Sequence, residues 1–311
     1  MKKFLLIAGT SLLILTVVGA ITSHFLLKMY IESDEFREQV ARTLTRASHG
    51  IVSKSIVDVS SLNVVGLMSV ESGAINIRSA DKAEHVVSIS SAKLTPKLVS
   101  LLIPGPVLFN AELNMQSKGQ VKMSGRVPLS LLSKSNTDES DVEVRGEVSG
   151  ISAVELVDLM QTAQGDPYFR LAEGTLNGTF LYTKPLGKAV TKGEKNGHLN
   201  LTLTAAKWTI PSEKKVVPIE TLPIELKLKD FEVNLEKPIV LKDESGTATL
   251  SGAINLPKLA GQEKSWDIRA NVAGSAGLLL VVTKLFKCPS PPAAYTFSVT
   301  GDFSNARCLG L

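Results

Sequence analysis

The side chains best suited to metal, redox or nucleophilic chemistry in this chain are four histidines and two cysteines. His24, His49, His85 and His198 lie far apart, and none has a second ligand type two to five residues downstream, so a helix- or strand-borne metal site has no sequence basis. Cys288 and Cys308 lack the Cys-x-x-Cys spacing of a redox motif. No His-Glu-x-x-His, Gly-x-Ser-x-Gly, P-loop, dinucleotide-binding or EF-hand pattern occurs. Asn177-Gly-Thr179 and Asn200-Leu-Thr202 fit the glycosylation tripeptide, but both fall in expected strands. The expectation is therefore a protein without catalytic residues, cofactor or metal. A binding, structural or transport role is favoured over an exported hydrolase with an unrecognised site.

The elements around these residues point to the cell envelope. Residues 4–27 contain no Asp, Glu, Lys or Arg; as a helix at 1.5 Å per residue they extend about 36 Å, enough for a hydrocarbon core of about 30 Å. Lys2 and Lys3 precede the run, favouring a cytoplasmic N-terminus and an exported remainder. Val18 and Ala20 offer a cleavage-like site, but the apolar run continues through Ile21, Phe25, Leu26 and Leu27, so a retained single-pass anchor is the preferred reading. The formal charge of +4 includes three lysines in the first 28 residues, which carry no acid. The rest is nearly neutral, without the basic footprint of a nucleic-acid binder.

Ser33 reads as the N-cap of a helix that Gly50 stops, with Asp34 and Glu35 at its positive end. Phe36, Val40, Leu44 and Ala47 form its narrow apolar stripe, which suits a cap on the following sheet better than a helix lying on lipid headgroups. Beyond Ile51 the pattern is β. Leu199, Leu201, Leu203 and Ala205 alternate with polar residues, as do Tyr295, Phe297, Val299 and Phe303. Ile224, Leu226 and Leu228 alternate too, and a phase shift to Phe231, Val233 and Leu235 predicts a bulge or bend near Asp230. Weaker strands are expected over 56–65, 70–77, 86–94, 107–115, 120–127, 142–148, 174–182, 247–256 and 266–272. One apolar and one polar face indicate a largely antiparallel sheet.

Shorter features divide the chain. Residues 96–103 are apolar and closed by Pro104-Gly105-Pro106. Ser152 to Glu155 is a capping box opening a helix to about Gln164. Residues 277–286 are apolar nearly all round and too short to cross a bilayer, hence buried or interfacial, with burial preferred. Ser124-Gly125 and Ser251-Gly252 occupy matching places in a faint repeat, with looser copies around Gly178 and Gly301. Glycines there could curl the sheet into a gutter, or could merely accumulate in a meander. The lysine-rich stretch 184–197 reads as a solvated loop, with contact to anionic lipid as the alternative. The expected organisation is an anchor over 1–28, a juxtamembrane helix over 29–50, a β region over 51–132, a polar linker over 133–141 and a second β region over 142–311.

This order of parts, ending in Tyr295-Thr-Phe-Ser-Val-Thr-Gly-Asp-Phe303, resembles the type II secretion pathway protein N family and is similar to the wider AsmA-like periplasmic proteins. The resemblance implies an inner-membrane-anchored periplasmic protein with a β-groove, partnered by secretion machinery or other envelope proteins. In the AsmA-like alternative, phospholipid would lie against an inner wall that includes Leu201, Leu203, Phe297 and Val299. It supplies no catalytic residues. An anchor also places Cys288 and Cys308 in an oxidising compartment, where they would form a bond worth roughly 3 kcal/mol on the chain-entropy model; two unpaired thiols are the alternative.

Overall fold

The computed structural model describes residues 24–48, 55–66, 68–79, 82–97, 100, 105–128, 142–155, 170–184, 196–210, 215–243, 246–256, 265–274, 276–286, 288, 295–302 and 306–310. The expected anchor up to residue 23, the linker 133–141, the helix beyond Glu155 and the loop 185–195 lie outside these residues, as do most of 96–103. Among the described residues no helix is long and apolar enough to cross a membrane.

A helical stretch over 24–31 leads into α1 (Asp34–Ser48). Ser33 caps α1 as its sequence predicts: its Oγ accepts a 3.3 Å hydrogen bond from the Phe36 N–H. The strands that follow belong to one antiparallel sheet. The first half comprises β1 (Ser55–Val59), β2 (Leu62–Val65), β3 (Ser69–Ser72), β4 (Ile75–Ser79), β5 (Lys82–Pro96), β6 (Pro106–Met115), β7 (Gln120–Pro128), β8 (Val142–Ser152) and β9 (Arg170–Lys184). Next come β10 (Asn196–Ile210), β11 (Lys215–Lys229), β12 (Glu232–Leu235), β13 (Ile239–Asp243), β14 (Gly246–Asn255) and β15 (Ser265–Ala273). Helix α2 (Ala276–Leu285) precedes β16 (Thr296–Asp302) and β17 (Ala306–Gly310).

The topology is a meander. Each strand from β5 to β11 pairs with the next. β12 and β13 lie end to end against β14, which continues to β15, β16 and β17. At the other end, β3 and β4 share β5 as partner. Pairing of β7 with β8 carries the sheet past residues 133–141 without a break.

Several local expectations change. The expected strands 56–65 and 70–77 each break in two, because the Ser60 N–H donates to Ala74 O and the Gly73 N–H to Ser61 O at one shared jog. The phase shift at Asp230 is a hairpin, not a bulge: Lys229 pairs with Glu232 around Asp230, whose φ is +52°. The bulge lies instead at Ala205 (φ +49°), where the β9–β10 register slips between Thr204 and Lys207. It exposes Ala205 and buries Ala206, reversing the inward assignment of Ala205. β13 and β17 were not expected as strands. Nor was the first half of β11, which contains Pro218 and Pro223; β12 pairs only with its last four residues, and proline is tolerated where one side of a strand is open.

Candidate functional site

Register alone assembles a two-faced surface on β5–β12. One row reads Leu94, Ala111, Met123, Gly146, Phe180, Leu199, Leu226, Leu235 from strand to strand. A parallel row contains Phe109, Gly125, Val144, Tyr182, Gly197 and Leu228. Residues one step along each strand face the other way: Lys93, Glu112, Lys122, Glu147, Thr179, Asn200 and Glu225 form a polar row in which charge alternates over the first four strands.

The apolar face is covered at both ends. At the N-terminal end, Phe36, Val40 and Ala41 of α1 pack on Val57, Val59, Leu62 and Ile75. Leu44 is exposed, so the apolar stripe of α1 turns towards Ala41 rather than continuing through Leu44. At the C-terminal end, α2 places Leu278, Val282 and Phe286 into a core with Val272, Phe297 and Val299, the last two at 0% exposure. Trp266 meets Phe286 edge to face at 5.1 Å. Of the described side chains over 276–286, Leu278, Val282, Thr283 and Phe286 are buried. Between these ends Met123, Val144, Phe180, Tyr182, Leu199 and Leu226 are half-buried and Leu94 is exposed. No described element lies over them.

Two aromatic rings finish this central wall. A Cβ at Gly146 would meet the Phe180 ring at 2.5 Å, and one at Gly125 would meet the Phe109 ring at 2.9 Å; each ring lies over the glycine of its registered neighbour, an aromatic filling of a strand gap. A Cβ at Gly125 would also strike Glu143 O, but Gly125 lacks the positive φ of its repeat partner. Gly252, with φ +125°, is a backbone bend whose added Cβ would strike Asp267 O, and Gly178 at φ +157° would strike Asn200 O. Burial among the wall's side chains raises the pKa of the Tyr182 phenol. A cavity of about 690 Å3 is lined by residues of both rows, Lys93, Glu112, Lys122 and Glu147 of the polar row together with Met123 and Phe180 of the wall.

Of the four wall residues expected from sequence, Leu201 is half-buried while Leu203, Phe297 and Val299 are enclosed in the C-terminal core. The half-buried wall is carried by Phe109, Met123, Phe180 and Tyr182, which sequence reading missed. Their signal is an aromatic opposite a glycine across strands, visible only once register is known. Cys288 and Cys308 are joined, with Cα atoms 5.6 Å apart. No family model, curated protein or solved structure matches this chain. His198 approaches Glu236 at 3.6 Å on the surface, and no group of three metal-ligating side chains converges among the described residues.

Proposed function

We propose that this chain is a non-enzymatic, inner-membrane-anchored periplasmic protein whose sheet forms a gutter for phospholipid acyl chains in outer-membrane biogenesis. The observation that carries the reading is the half-buried apolar wall on β5–β11 between two covered ends. Seven strands at about 4.8 Å spacing make a strip about 29 Å across, and apolar surface of that extent left open marks a binding surface. Curvature is supported by Gly178, Gly252 and Gly301, all at positive φ within strands. Anchoring is supported by Phe25, Leu26, Leu27, Met29 and Tyr30, each 45–61% exposed on the helical stretch that ends the apolar run.

A second reading, an accessory of type II protein secretion, is favoured by the order of anchor, short helix and β domain. One experiment separates them: photocrosslinkers at Met123, Phe180 and Phe297 in cells. Lipid adducts from Met123 and Phe180 but not Phe297 support the carrier. Adducts to envelope proteins alone, with no lipid at any position, reject it in favour of the accessory.

A further inference from the structure

The two edges of the sheet are finished differently. Along the N-terminal edge, α1 and the residues before it occupy backbone groups that a neighbouring strand would need. Thr45 Oγ1 accepts from the Val57 N–H at 3.0 Å, Glu32 Oε1 accepts from the Val64 N–H at 3.1 Å, and Arg37 donates to Ser60 O at 3.4 Å. Among the described residues β17, at the other edge, pairs with β16 alone, and no described side chain caps its outer side. An uncapped edge is a template for another strand.

We propose that β17 is a self-association edge, at which two copies of this chain pair antiparallel through Ala306–Gly310. Three observations select a second copy. First, with Cys308 on the two-fold axis, Arg307 stands opposite Leu309 of the copy and Ala306 opposite Gly310, so no like charges meet. Second, Leu309 is 57% exposed on the side of the strand shared with Ser298 and Arg307, where only a partner would cover it; the aliphatic stem of the copy's Arg307 does so. Third, Ala306 and Cys308 face the C-terminal core, so pairing continues the apolar face from one copy into the next.

The blocked N-terminal edge excludes head-to-tail addition, leaving a closed, isologous dimer and no fibre. The Cys288–Cys308 bond holds the template strand to the segment after α2. This inference is independent of the lipid reading.

The test is the mass of the full chain in detergent, by light scattering, up to about 100 μM. Wild type should show a concentration-dependent dimer. Leu309→Lys sets a cation against Arg307 at two symmetric places and should weaken dimerisation roughly 2- to 30-fold, while Leu309→Glu should strengthen it by a similar factor. A loss of exposed apolar area would move both variants the same way. A monomeric wild type, or equal shifts in the two variants, overturns the proposal.

Discussion

β14–β16 and β5–β9 are built from the same alternation of apolar and polar residues, yet their apolar faces end differently. Phe297, Val299 and Val272 are at 0–1% exposure, whereas Met123, Val144 and Phe180 are half-buried. The strands do not explain the contrast. A ten-residue helix does: α2 supplies Leu278, Val282 and Phe286 over the C-terminal strands. Whether a strand residue becomes core or exposed wall is thus decided by a cover encoded elsewhere in the chain.

The contrast is broken most directly by truncation. Phe297→Ala, which leaves a cavity lined on all sides, should cost about 3–5 kcal/mol. Phe180→Ala on the open wall should cost less than half of that, since its ring is already partly in water. Urea midpoints at unchanged m-value measure both, and equal losses would show that the central wall is covered as fully as the C-terminal one.

The C-terminal region has a second fastening that the central strands lack. Replacing Cys288 and Cys308 by serine should cost about 2–4 kcal/mol. Alkylation of denatured, unreduced protein should leave both unlabelled in wild type; two labels per chain would refute the bond. Next in size is Gly252→Ala, at about 1–3 kcal/mol, because alanine must take up φ +125° against the carbonyl of Asp267. A neutral result by thermal melt would mean that the bend relaxes at no cost.

Strand existence was legible in the sequence because alternation survives in isolation, as at Leu199, Leu201 and Leu203. Phase was not. A one-residue bulge at Ala205 and a reversal at Asp230 leave similar traces in the pattern, and only hydrogen-bond register separates them. β17 is five residues long with a polar-side leucine, too short to display a period. The wall was half legible: inward positions could be read, but their exposure depends on where α1 and α2 dock. Phe109 and Phe180 become wall residues only through glycines on neighbouring strands.

The smallest expected effect probes how dry the open wall is. Tyr182 sits between Val144 and Gly197 on that wall, and partial burial disfavours its phenolate. A tyrosine that titrates near pH 10 when unfolded and higher when folded binds more protons in the native state between those values. Its contribution to stability is therefore complete below about pH 10 and falls away as pH rises through the folded pKa. Tyr182→Phe should leave melting temperatures near neutrality almost unchanged and make the alkaline decline shallower. Difference absorbance of phenolate between wild type and Tyr182→Phe gives the folded titration directly. Titration at the position of a free tyrosine would mean that water reaches the wall unhindered. An upward shift when phospholipid is added would place an apolar ligand against this residue.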